Sequence, residues 1–104
     1  MPSDLRVENR TLADGRNRVG FSGEVDATNV ARFRESLAQA SSSGRVVADL
    51  SNLTYLDSAG VEVLFDVARR CALAVVAGPE CVVRHLLDVV ALGAVATVLD
   101  EAPA

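Results

Sequence analysis

The chain has 104 residues, of which 50% are hydrophobic and 23% charged, and its formal net charge is −4 at neutral pH. This composition predicts one globular domain over residues 1–104 and argues against intrinsic disorder. The acidic balance argues against a nucleic-acid partner, because phosphate binding needs clustered positive charge. The longest uncharged stretch, 89–99, is shorter than the roughly 18 residues of a membrane span. No signal-peptide pattern opens the chain, so we predict a cytoplasmic location.

Segments with helical spacing of apolar residues alternate with short apolar runs. Val30, Phe33 and Leu37 lie at helical spacing after Asp26, whose short side chain is typical of a helix N-cap. The Val-, Ala- and Leu-rich run over 45–50 is typical of a buried parallel strand. The alternation of these two kinds of segment indicates an α/β sheet.

The predicted elements cover most of the chain. In order they are strands over 4–9 and 18–22 around an Asp-Gly hairpin turn at 14–17, a helix over 27–41, a strand over 45–50, a loop over 51–57, a helix from residue 58, a strand over 72–77, a helix that follows Gly78-Pro79 and ends near Gly93, and a strand over 95–99. The predicted fold class is α/β: a mostly parallel sheet of four to five strands with helices packed on it, in the order β-β-α-β-α-β-α-β.

The segment over 51–61 is the most informative, because a buried strand leads through a polar loop to Asp57-Ser58-Ala59-Gly60 at a helix start. In open α/β sheets, ligand and partner sites gather beyond the carboxyl ends of the strands. Free amides and the helix dipole at such a start favour negative charge. Ser58 is therefore either a plain N-cap, worth about 1 kcal/mol, or a phosphoacceptor that gains about two negative charges beside Asp57.

The neighbours of Ser58 also have structural interpretations. Asp57 caps or pairs locally, and Gly60 allows close packing. We expect the loop over 51–57 to touch the core through Leu53, Tyr55 and Leu56. The nearby hydroxyls are interpreted as turn or cap groups; they belong to Ser22, Ser51 and Thr54.

Two cysteines and one histidine are the remaining reactive side chains. A zinc site usually takes three or four closely spaced ligands, so Cys71, Cys81 and His85 predict no metal site. A disulfide would require the two cysteine backbones to approach each other. Cys81 and His85 lie four residues apart on a predicted helix and could touch, but no third group that would orient them is evident. The chain also lacks the G-x-x-x-x-G-K-[ST] and G-x-S-x-G patterns, which favours a role other than catalysis.

Three motifs resemble those of the STAS domain family, which is named after sulfate transporters and anti-sigma-factor antagonists. They are FSGEVD at 21–26, DLS at 49–51 with LDSAG at 56–60, and Gly-Pro at 78–79 followed by the helical pattern at 83–92. Their order and separations match the family over nearly the whole chain. A short, stand-alone chain of this type resembles the bacterial anti-sigma-factor antagonists.

The resemblance implies a binding protein that switches partners, without a cofactor and without enzymatic activity. In the family, the unphosphorylated antagonist binds an anti-sigma factor with an ATP-binding kinase fold, which releases a sigma factor for transcription. The anti-sigma factor phosphorylates the motif serine, and a PP2C-type phosphatase restores it. Carried over, the phosphoacceptor is Ser58, and the partner-binding residues are Asp26, Asp57, Ser58, Ala59 and Gly60. We expect the free chain to be a monomer.

Two features depart from the family pattern. Arg70-Cys71 runs almost directly into the strand that begins at Ala72, so we expect the second helix to be shorter or to end abruptly. Little chain remains after the last strand for the family's final helix. Two other functions stay open: a STAS accessory or scaffold module without a phospho-switch, such as a subunit of a lipid-transport ATPase or a stress complex, and an enzyme or small-ligand binder that uses Cys71, Cys81 and His85.

Overall fold

The computed structural model describes residues 4–104. Its elements are strands β1 (Leu5–Thr11) and β2 (Asn17–Val25), helix α1 (Val30–Ala40), strand β3 (Arg45–Leu56), helix α2 (Ser58–Arg70), strand β4 (Ala72–Val76), helix α3 (Arg84–Val89), a 3-10 turn (Leu92–Ala94) and strand β5 (Thr97–Leu99). The predicted α/β class and the predicted order of strands and helices are confirmed.

The five strands form one sheet in the order β1-β2-β3-β4-β5. β1 is antiparallel to β2, and every other neighbouring pair is parallel. Because parallel crossovers are right-handed and the strand order advances in one direction, all three helices cover the same face of the sheet. Phe33 and Leu37 of α1, Leu64 of α2 and Leu87 of α3 are buried there. The carboxyl ends of β2, β3 and β4 consequently lie along one edge, which we call the carboxyl edge.

The opposite face of the sheet carries a smaller cluster. Leu12 of the β1–β2 hairpin packs there with Val47 of β3 and Val76 of β4. On the same face the Arg18 guanidinium bonds to Oδ2 of Asp49, with its Nη2 at 2.6 Å. Burial raises the pKa of the Asp49 carboxyl, but hydrogen bonds from Ser51 and the nearby Arg18 charge outweigh it and leave that pKa below its ordinary value.

The predicted loop over 51–57 was wrong, since β3 continues to Leu56. The strand was missed because its inward-facing residues do not alternate: Leu50, Leu53 and Leu56 are buried at intervals of three. Two β-bulges account for this spacing, each placing an extra residue of β3 against β2. Leu53 and Leu56 reach the core as expected, whereas Tyr55 does not and is 49% exposed.

The first two helices differ from the prediction at their ends. α1 begins at Val30 and not at residue 27, because residues 26–29 form a separate hydrogen-bonded turn. α2 runs for 13 residues and ends abruptly, with the single residue Cys71 before β4.

The third helix is shorter than predicted. Pro79 lies in a turn ahead of α3, which starts at Arg84. The helix ends at Val89 because Ala91 adopts a left-handed conformation with φ of 57°. Gly93 therefore falls inside the 3-10 turn, and β5 begins at Thr97. Within residues 4–104, no helix combines the length and apolar character that a membrane crossing requires.

Candidate functional site

The chain reaches the site through the paired ends of β2 and β3. Val25 of β2 is the register partner of Leu56 of β3, and the Asp57 amide donates to the Val25 carbonyl at 3.1 Å. Neighbouring strands lie about 4.8 Å apart, so Asp26 and Asp57-Ser58 leave the carboxyl edge side by side. The parallel pairing thereby brings together two motifs that are distant in the sequence.

Asp57, and not Ser58, is the N-cap of α2. Its extended backbone precedes the helix, and its Oδ1 accepts from the Gly60 amide at 3.0 Å. The Asp57 carbonyl accepts from the Val61 amide as the first helical bond. Ser58 is the first helical residue, so the interpretation of Ser58 as a plain N-cap was wrong. The capping role suggested for Asp57 is confirmed.

The three residues after Asp57 differ in exposure. Ser58 is exposed, and in residues 4–104 no hydrogen bond engages its hydroxyl. Ala59 is half-buried. Gly60 is buried, and a Cβ there would lie 2.4 Å from Cδ1 of Leu56 and 3.0 Å from Cγ1 of Val25. Gly60 thus allows close helix–sheet packing, while Ser58, two residues earlier, is exposed.

The Asp26 side of the site is a turn held by side chains. Oδ1 of Asp26 accepts from the Thr28 amide at 2.9 Å and from the Thr28 hydroxyl at 2.5 Å. The Asn29 side chain accepts from the Asp26 amide and donates to the Glu24 carbonyl. Asp26 therefore orders the turn before α1 and does not cap the helix. The role of Asn29 was missed, although asparagine is a common turn residue because its side chain bonds to nearby backbone groups.

A shallow cleft between α1 and α2 begins beside Ser58. Arg34 of α1 pairs with Asp66 of α2 at 3.1 Å and ties the two helices together. The cleft is lined by residues of both helices: Val30, Ala31, Arg34, Glu35, Ala38, Ala59 and Glu62. Among the predicted site residues, Ala59 thus connects Ser58 to the cleft between α1 and α2.

The cysteines lie at opposite ends of β4. Cys71 precedes the strand and its thiol donates to the Val67 carbonyl, whereas Cys81 follows the strand and its thiol donates to the Leu50 carbonyl. Five residues of strand separate them by roughly 15 Å, and a disulfide needs Cα atoms within about 7 Å. This separation overturns the disulfide alternative.

Cys81 and His85 do not form the predicted helical pair. Cys81 lies ahead of α3, which starts at Arg84, so the two residues are not both helical. The Cys81 thiol is engaged by the backbone, and the His85 side chain is exposed. In the described part of the chain, no three His, Cys, Asp or Glu side chains are grouped to hold a metal ion.

Comparison with known proteins identifies one family. The model of the STAS domain matches residues 14–101. Among curated proteins, no sequence matches the chain. Among solved structures, an anti-sigma factor antagonist from Mycobacterium paratuberculosis superimposes with a TM-score of 0.82 at 19% identity, over 94% of this chain and 87% of that chain.

Two further solved structures share the fold. The Bacillus cell fate determinant SpoIIAA, in its phosphorylated form, has a TM-score of 0.62 at 18% identity, over 92% of this chain and 93% of that chain. The STAS domain of an anti-sigma-factor antagonist from Rhodobacter sphaeroides has a TM-score of 0.51 at 25% identity, over 68% of this chain and 82% of that chain.

Proposed function

The chain belongs to the STAS domain family, and from this premise we propose that it is an anti-sigma-factor antagonist. In its unphosphorylated form it binds an anti-sigma factor with an ATP-binding kinase fold, which frees a sigma factor for transcription in the cytoplasm. The chain is a binding partner and a phosphorylation substrate, and it is not an enzyme. The names of the structural neighbours support this role, since several are anti-sigma factor antagonists.

The observation that carries the proposal is the exposed hydroxyl of Ser58 on the first residue of α2. A kinase must reach the acceptor oxygen, and Ser58 is exposed while the side chains on either side of it are engaged or half-buried. In the reaction the γ-phosphoryl group of ATP is transferred to Oγ of Ser58, and ADP and a proton are released. A PP2C-type phosphatase hydrolyses the phosphoester, which regenerates serine and releases inorganic phosphate.

The local geometry explains how a phosphate would change binding without unfolding the domain. The Asp57 carboxylate already occupies the Gly60 amide, so the Ser58 and Ala59 amides are the helix-start donors that remain for a phosphate. The phosphate adds about two negative charges beside the Asp57 carboxylate. A partner surface that fits the neutral hydroxyl and the flanking Asp26 turn would then meet a bulky, doubly charged group.

The proposal is tested by affinity capture from a lysate of the native host with two baits, Ser58→Ala and Ser58→Asp. We expect the alanine bait to retain an ATP-binding anti-sigma factor and the aspartate bait to retain less of it, because aspartate introduces a negative charge at this position. The loss should be partial, since aspartate carries less charge than a phosphate. The captured protein is then incubated with wild-type chain and labelled ATP. Label on wild type and none on Ser58→Ala identifies the kinase and its acceptor.

Other outcomes would refute the phospho-switch. Equal capture by both baits would mean that the charge at Ser58 does not control binding. Capture of transporter subunits or of a stress complex by both baits would instead favour the accessory or scaffold role. Label that persists in Ser58→Ala would show that another hydroxyl of the chain is the acceptor.

A further inference from the structure

β3 contains two bulges between Asp49 and Ser58, and a side chain holds each of them in place. Gly20 and Ser22 of β2 are the register partners of Asp49 and Asn52, so one extra residue of β3 lies between them. Gly23 and Glu24 are the partners of Leu53 and Tyr55, so Thr54 is the second extra residue. The position of everything after Thr54, Ser58 included, depends on these two insertions.

The first bulge is held from the face opposite the helices. Oδ1 of Asp49 accepts from the Ser51 amide at 3.0 Å, while Oδ2 is bound by the Arg18 guanidinium. The ion pair is largely buried, with exposed side-chain fractions of 15% for Arg18 and 9% for Asp49. This bulge is therefore anchored deep in the sheet and is part of the folded framework.

The second bulge is held by one exposed hydroxyl. Oγ1 of Thr54 donates to the Gly23 carbonyl at 3.1 Å, across the two strands. Gly23 itself has a φ of +98°, and a Cβ there would lie 2.1 Å from the Asp4 carbonyl oxygen. The Glu24 amide also donates to Asp4. The acceptor of the Thr54 hydroxyl thus sits in backbone that is itself tightly fixed.

The path from this hydrogen bond to the phosphoacceptor is short. Each extra residue reverses which side chains of β3 face inward, so two of them restore the original alternation. As a result Leu56 is buried, and the Asp57 amide donates to the Val25 carbonyl. The Asp57 carboxylate then caps α2, and Ser58 follows as its first residue. Without the fastening at Thr54, the three residues before Asp57 could shift relative to β2.

We propose that Thr54 is a positioning residue for Ser58: its hydroxyl fixes the second bulge of β3 and thereby places the Ser58 hydroxyl for phosphoryl transfer. The inference rests on the proposed function, in which Ser58 is the acceptor. Thr54 is exposed and lies outside the five residues assigned to partner binding. It acts through the backbone between Gly23 and Asp57 and does not touch the reacting atoms.

Two substitutions isolate the hydroxyl. Thr54→Val keeps the shape and the β-branching but removes the donor, whereas Thr54→Ser keeps the donor. Thr97→Val is the matched control, since Thr97 is also an exposed threonine, on β5 at the far side of the sheet. Because Thr54 and Thr97 are both exposed, all three variants should fold.

The first readout is the initial rate of Ser58 phosphorylation in ATP-supplemented lysate of the native host, measured against concentration of the chain. We expect Thr54→Val to lower the maximal rate roughly three- to tenfold, the value of one hydrogen bond, with little change in the half-saturating concentration. Thr54→Ser and Thr97→Val should match wild type. A maximal rate for Thr54→Val equal to wild type would overturn the proposal, and so would equal losses in Val and Ser variants.

The second readout needs no kinase and separates this inference from the proposed function. Amide hydrogen exchange should accelerate at Asp57 and Gly60 in Thr54→Val only, while the Val75 amide in the core keeps its wild-type rate. If wild type is not phosphorylated at Ser58, the proposed function fails, and the exchange pattern still decides whether the Thr54 hydroxyl fixes the second bulge and the backbone that leads to Ser58. Unchanged exchange at Asp57 and Gly60, or acceleration that includes Val75, would refute it.

Discussion

The N-cap of α2 can be tested quantitatively, because two adjacent residues, Asp57 and Ser58, were candidates for it. Asp57→Ala removes the acceptor that holds the Gly60 amide at 3.0 Å, which costs about 1 kcal/mol. It also removes a negative charge at the helix start, worth about 0.3–1 kcal/mol. We therefore expect a total loss of about 1–2 kcal/mol. Asp57→Asn keeps the acceptor and should lose only the charge contribution.

Ser58→Ala should behave differently, since Ser58 is the first helical residue and Ala has the higher helix propensity. Its free energy of unfolding should stay within about 0.5 kcal/mol of wild type. Urea unfolding at pH 7 measures all three variants, with an unchanged m-value as the check on two-state behaviour. In thermal unfolding, Asp57→Ala should melt about 5–9 °C lower, since the unfolding entropy is about 2.1 cal/mol/K per residue.

The assignment of the cap to Asp57 is refuted if Ser58→Ala loses as much stability as Asp57→Ala, or if Asp57→Ala has the same free energy of unfolding as wild type. The first result would return the cap to Ser58, and the second would mean that the helix start needs no cap. The expected result also matters for the capture experiment. If Ser58→Ala is as stable as wild type, a change in its binding reflects the missing hydroxyl and not partial unfolding.

Three further predictions test the framework around the site. The folded-state pKa of Asp49 lies below 3.8, so in wild type the carboxylate stabilises the fold above that pH, and this stabilisation is lost as the pH falls further. Asp49→Asn should lack this acid-dependent stabilisation, and urea unfolding at pH 7, 4 and 3 compares the two proteins. Gly23→Ala should cost at least about 2 kcal/mol because a backbone oxygen blocks its Cβ, whereas Gly44→Ala, with φ of +89° and open space, should cost only about 1 kcal/mol by the same unfolding assay. Mild oxidation should leave both Cys71 and Cys81 free of an intramolecular disulfide, as peptide mass mapping after thiol alkylation would show, and a linked peptide pair would contradict their placement.

The order of elements was predictable because it depends on local patterns. Helical spacing predicts α1 from Val30, Phe33 and Leu37, and the apolar run at 45–50 predicts the buried half of β3. Helix ends were less predictable, because side chains compete for the same amides. Asp26 has the side chain of an N-cap, yet it bonds to Thr28 and closes a turn instead, so α1 starts at Val30.

The predictable and unpredictable parts of the site separate by sequence distance. Asp57 and Gly60 are three residues apart, so their hydrogen bond follows from the motif itself. Thr54 and Gly23 are 31 residues apart, and their bond exists only once β2 and β3 have paired in one register. A strand whose inward residues recur every third position has no signature in a single sequence, because the pattern belongs neither to a regular strand nor to a helix. The LDSAG motif therefore contains the proposed acceptor Ser58, while the register between two distant strands determines the position of that residue.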